Sequence, residues 1–108
     1  MTEQIMNITT NFRAIETIKS EILQEVAKLY GIISDFEDTD LYENTANSVA
    51  TIIAMDYILA RRLGLSFGEI DKRIVNLAGI AEENNHELEL AFGDMSDLRN
   101  FIRRRSEF

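Results

Sequence analysis

Five carboxylates fall in one short stretch: Asp35, Glu37, Asp38, Asp40 and Glu43. Carboxylate oxygens at that density are what a hard divalent cation requires. The plainer reading is a helix–helix connection. Thr39 and Asp40 are both good N-cap residues, and acidic side chains are favoured near a helix N-terminus. Further on, Asp56 interrupts an apolar stripe. A carboxylate there needs an ion-pair or hydrogen-bond partner, and Arg61, Arg62, Lys19 or a tyrosine hydroxyl could supply it. Such buried pairs serve structure more often than catalysis. Asn44 and Asn47 stand three residues apart, as do Glu25 and Lys28, so each pair shares a helix face. Taken alone, the first is an exposed amide pair. The second is an ordinary ion pair worth about a few tenths of a kcal/mol.

Composition narrows the chemistry. The 108-residue chain has the length of one domain, and 45% of it is hydrophobic. It has no cysteine, which excludes disulfides and thiolate metal sites. Its single histidine, His86, cannot build a zinc site by itself and reads as a helix-junction residue. The net charge is −8 and the pI about 4.6, which argues against nucleic acid as the main partner. The exception is Arg103, Arg104 and Arg105, which suit solubility and the helix dipole better than an anion site. No apolar run approaches the length of a membrane span, and the N-terminus lacks the features of a signal peptide. A soluble, cytoplasmic protein is expected.

The elements that must position these residues are helices. The chain has no proline and few glycines, which favours long helices with short connections. The first helix is expected from Thr9 or Thr10 to about Asp35. Its apolar stripe is Phe12, Ile15, Ile18, Ile22, Val26, Leu29, Ile33 and Phe36. The second is expected from about Leu41 to Leu63. One face carries Tyr42, Ala46, Val49, Ile52, Ile53, Leu59, Ala60 and Leu63, with Asp56 among them. The opposite face begins polar with Asp40, Asn44, Asn47 and Thr51, then turns apolar with Ala54, Met55 and Ile58. A helix apolar on both sides needs two covers, and a subunit interface is the natural second one. Gly64 suits a helix C-terminus. Ser66 and Glu69 form a capping box that opens a third helix, from Phe67 to Glu82 or Glu83, with the stripe Ile70, Ile74, Leu77 and Ile80. After the break at Glu83-Asn84-Asn85-His86 come a short apolar turn, a loop at Gly93 and a last helix. Asp94 or Ser96 caps that helix, which carries Leu98, Phe101 and Ile102. The expected fold is all-α: an antiparallel bundle of about four helices in a single domain.

The stretch from Leu59 to Ile74 invites comparison with a helix-turn-helix, since Ala60, Gly64 and Ile70 fall near its small, turn and packing positions. The would-be recognition helix opens with Glu69 and Asp71, which repel phosphate. The helix before it is long and apolar. A DNA-binding module is the weakest reading.

Leu59-Ala-Arg-Arg-Leu-Gly-Leu-Ser-Phe-Gly-Glu-Ile-Asp71, together with Asn85-His86-Glu87 and Gly93-Asp94-Met95-Ser96, resembles the small MazG-like proteins of spore-forming bacteria. The resemblance covers about Phe12 to Phe101. It implies an all-α nucleoside triphosphate pyrophosphohydrolase relative that assembles as a dimer or tetramer. Active relatives hold Mg²⁺ with E-x-x-E on one helix and E-x-x-D on the next. Two helix faces then present four carboxylates to the cation and the triphosphate. The metal polarises the phosphoryl group and activates water.

Carried over residue by residue, the first motif falls on Glu25 and Lys28 and the second on Asn44 and Asn47. One carboxylate remains of four, and a cation stands in place of another. Such a set loses most Mg²⁺ affinity, because amides bring no charge. Lys28 could instead meet a phosphate directly, leaving a metal-free anion or nucleotide site. The leading expectation is an oligomeric MazG-like protein with a degraded metal motif and a binding or structural role. The alternative is an active, Mg²⁺-dependent enzyme with an acidic site rearranged around Glu21, Glu25, Asp40 and Glu43.

Overall fold

The computed structural model describes residues 2–35, 37 and 39–106, with side chains described from Asn7 to Arg105. Among these residues there are five helices and no strand: α1 (Thr2–Ile33), α2 (Leu41–Arg62), α3 (Phe67–Glu83), α4 (Glu87–Phe92) and α5 (Asp94–Ser106). The chain divides into two compact units, Met1–Gly64 and Leu65–Phe108.

The first unit is a helical hairpin. α1 begins well before the expected Thr9, because residues 2–8 contain no proline or glycine to stop it. α2 matches its expected limits within one residue, with Asp40 at the N-cap position. Two contacts define the antiparallel register. Asn11 Nδ2 donates to the Arg62 carbonyl at 3.0 Å, and Ser48 Oγ donates to Glu25 Oε1 at 2.8 Å. α1 turns Ile18 fully inward, with Ile15, Ile22, Val26 and Leu29 half-buried beside it. Phe12 and Ile33, expected in that stripe, are 63% and 44% exposed. Phe36, its expected last member, and Asp38 of the acidic connection lie outside the described residues.

The side of α2 that meets α1 differs from the one expected. It carries Leu41, Thr45, Ser48, Ile52, Met55 and Leu59, all buried or half-buried. Tyr42, Val49, Ile53 and Leu63 stay exposed. So does Asp56. Its carboxylate needs no protein partner, because water solvates it. The physical reason is a rotation of α2 by about a quarter turn, which at ~100° per residue follows from Ser48 rather than Val49 facing α1.

The second unit packs α5 antiparallel on α3. Arg105 near the end of α5 pairs with Asp71 near the start of α3, Nη2 to Oδ1 at 2.8 Å. Arg99 pairs with Glu82 at the other end. The contact is built on Ala78 and Ile102, each 4% exposed. The small Ala78 lets α5 approach closely, whereas Leu77 and Ile80 of the expected stripe are 66% and 53% exposed. The unit's joints carry the expected signals. Gly64 has φ +94° at the end of the preceding hairpin. Ser66 caps α3 by accepting the Glu69 N–H at 3.1 Å.

The expected apolar turn after the break is itself a helix, α4. His86 caps it, Nδ1 accepting the Leu88 N–H at 3.1 Å. Gly93 closes it in the left-handed region, φ +72°. α5 is capped by neither Asp94 nor Ser96, since it already starts at Asp94. The cap comes from α4. Glu89 Oε2 accepts the Ser96 N–H at 2.9 Å, and its Oε1 accepts the Ser96 hydroxyl at 2.7 Å.

Candidate functional site

The candidate residues sit on the hairpin, so helix geometry decides what they share. Taking the α1–α2 contact as reference, ~100° per residue turns Glu21, Glu25 and Lys28 of α1 to one side of the hairpin. Antiparallel pairing turns Asn44 and Asn47 of α2 to that same side. The register set by Glu25 and Ser48 puts these residues within about two helical turns along the axis.

Contacts single out a smaller set. The Glu25 side chain is 20% exposed, and its Oε1 accepts the Ser48 hydroxyl at 2.8 Å. Ser48 is only 2% exposed and is the most buried polar residue described. Lys28 is 66% exposed, and its Nζ stands 4.0 Å from Glu25 Oε1. Asn44, Asn47, Glu21, Asp40 and Glu43 are all exposed. Thr51 is half-buried one turn beyond Ser48, with its hydroxyl bonded to the Asn47 carbonyl at 2.8 Å.

The α2 residue that meets Glu25 is therefore a hydroxyl one place after Asn47. Ser48 was not among the sequence candidates. Its signal was a serine flanked by Thr45 and Thr51 at three-residue spacing on one side of the helix. Such hydroxyls are neutral to unfavourable in a helix interior, so a buried one calls for a partner.

The set does not fit a hard divalent cation. It offers one carboxylate, a hydroxyl already committed to that carboxylate, and an ammonium within ion-pair range. Mg²⁺ is normally held through carboxylates together with substrate phosphates. Among the described residues, no three His, Asp or Glu side chains cluster closely enough to hold a metal.

The family model described as the MazG-like family matches residues 8–95. The chain belongs to the MazG-like family. The match begins in α1, earlier than the Phe12 of the resemblance, and ends at Met95 at the start of α5 rather than at Phe101. It includes every candidate residue of the hairpin. No curated protein and no solved structure matches the chain. Among the described residues, no helix is long and apolar enough to cross a membrane.

A second polar cluster lies at the α4–α5 joint of this MazG-like chain. The Ser96 hydroxyl, then its backbone N–H, hold the Glu89 carboxyl below its ordinary value, with Arg99 adding to the effect. The Ser96 hydroxyl also reaches the Gly93 carbonyl at 3.1 Å. These bonds stay within one helix junction, so the cluster is structural. The C-terminal arginines divide in the same way. Arg105 bonds Asp71 and lies 5.6 Å from the centre of the Phe101 ring, which makes it part of the α3–α5 contact.

Proposed function

We propose that this MazG-like protein has lost metal-dependent hydrolysis and uses the Glu25 face of its hairpin to bind a nucleotide or to serve a structural role. Family membership suggests a relation to nucleotide pyrophosphohydrolases, which supplies the ligand class. The observation that carries the reading is the partner of Glu25. Where a metal site needs a second carboxylate across from the first, α2 presents the buried Ser48 hydroxyl.

What remains suits a phosphate without its cation. Lys28 brings a mobile point charge to the rim. Asn44 and Asn47 add exposed amides, which both donate and accept hydrogen bonds. Glu25 repels an anion, but its charge is partly engaged by Ser48 and Lys28.

Pyrophosphate release from a nucleotide panel with Mg²⁺ or Mn²⁺ tests the loss of catalysis. Calorimetric titration of the same nucleotides in EDTA tests binding. The reading expects no turnover, together with metal-free binding weakened by Lys28→Ala. Turnover that disappears in Glu25→Gln would establish an active, rearranged acidic site instead.

A further inference from the structure

Within the second unit, α3 and α5 leave a recess of about 390 Å³ between them. Small-molecule sites begin at roughly 300 Å³. Part of its lining is apolar, from Val75 and Ile80 of α3. Between these two lies Gly79, where the Arg99 side chain of α5 crosses. Arg99 Cδ and Nη1 each stand 3.9 Å from the place a Cβ on Gly79 would take. Glycine inside a helix is destabilising relative to alanine. Here the missing side chain leaves room beside a guanidinium.

The polar groups of the recess are mostly donors. Arg99 and Arg103 both line it and stand four residues apart, so they share one face of α5. Asn76 of α3 adds an exposed amide. By residue type, Arg103, Arg104 and Arg105 all suited solubility and the helix dipole, but their surroundings differ. Arg105 is engaged by Asp71. Arg103 faces the recess and takes part in none of the ion pairs among the described residues. Arg99 pairs with Glu82, yet that pair is incomplete. Arg99 Nε and Glu82 Oε2 are both buried without a hydrogen-bond partner among the described residues, so charge rather than an aligned hydrogen bond joins them. A buried donor left without an acceptor is costly, and an acceptor that enters the recess and draws this guanidinium over relieves that cost.

We propose that the recess binds a small molecule with an oxyanion head, a phosphate or a carboxylate, on a compact apolar body. A guanidinium is a planar fork that matches either head with paired hydrogen bonds. Two such forks and the Asn76 amide supply donors from both helices. Glu83 also lines the recess, two turns from Asn76 and so on the order of 10 Å along α3. Its charge repels the head and sets the orientation, with the head toward Asn76 and Arg103 and the body along Val75 and Ile80. The net charge of −8 disfavours a long polyanion, which leaves a small molecule with a single head. None of these residues belongs to the hairpin, so the site stands apart from the question of hydrolysis and from Lys28.

Titration of the 108-residue chain with phenyl phosphate and with benzoate, read by calorimetry and by NMR shifts, tests the proposal. Orthophosphate supplies the phosphate head alone and phenol the body alone. Phenyl phosphate or benzoate is expected to bind at least ~10-fold more tightly than either fragment, and the tighter of the two identifies the head. The largest shifts are expected in residues 75–83 and 99–103. Arg103→Gln should weaken binding by at least ~10-fold, the loss of one charge-assisted hydrogen bond. Arg103 is exposed, so the helical circular dichroism signal is retained. Arg104→Gln removes the same charge one position away and should change the dissociation constant by less than about twofold. Gly79→Leu fills the recess and should abolish binding while favouring the helix. Lys28→Ala should leave binding unchanged, which separates this site from nucleotide binding on the hairpin. No binding at millimolar concentration, equal losses from Arg103→Gln and Arg104→Gln, or binding that survives Gly79→Leu would overturn the proposal.

Discussion

Replacing Ser48 by alanine is the most direct probe of the hairpin site. The Ser48 hydroxyl is buried and its 2.8 Å bond goes to a carboxylate. Hydrogen bonds to charged groups contribute about 1.5–3 kcal/mol. Glu25 keeps a fifth of its side chain in water, so solvent recovers part of the loss and Ser48→Ala should cost ~1–1.5 kcal/mol. Lys28 changes this little, since an exposed pair at this spacing contributes about a few tenths of a kcal/mol. For a chain of this size the loss lowers Tm by roughly 4–8 °C per kcal/mol. The clean measurement is a double-mutant cycle with Glu25→Ala, by urea unfolding at pH 7 and fixed protein concentration. Ser48→Ala should cost about 1 kcal/mol more in the wild-type background than beside Glu25→Ala. A Ser48→Ala cost within ~0.3 kcal/mol of zero, or no coupling in the cycle, would refute the argument that these two side chains define the site.

Three further outcomes are expected. The variant Ser48→Asp/Lys28→Glu opposes three carboxylates, so it should melt below wild type in EDTA and recover with millimolar Mn²⁺; a wild type that gains as much from Mn²⁺ would contradict the reading of the site. Glu89 has its carboxyl lowered by Ser96, so its contribution is complete above about pH 4.5 and disappears as the pH falls through the lower folded-state value; thermal melts across that range should show a slope that Glu89→Gln removes. Gly93 sits at φ +72°, so Gly93→Ala should lower stability by ~1–2 kcal/mol in chemical denaturation, and Gly93→Asn by less.

Helix boundaries were largely legible in the residues because their signals are local. The Ser66 cap, Gly64 and Gly93 act within a few bonds of their own positions, and the structure uses each as its residue type suggests. Where the signal was ambiguous, the reading failed. Nothing in residues 2–8 stops a helix, so α1 starts early. Asp94 and Ser96 both looked like caps, yet a carboxylate seven residues before Ser96 does the capping.

The sequence by itself determined an all-α chain and its family, because hydrophobic period, breakers and motif spacing are properties of neighbouring residues. Only the tertiary structure decided which side of α2 meets α1. Tyr42, Val49 and Ile53 form as good a stripe on paper as Thr45, Ser48 and Ile52. Both stripes repeat at helical spacing, and a rotation of about one residue exchanges them. Packing against α1 breaks that tie. It turns Ser48 onto Glu25, releases Asp56 to water, and leaves the more apolar stripe uncovered on the far side of the hairpin.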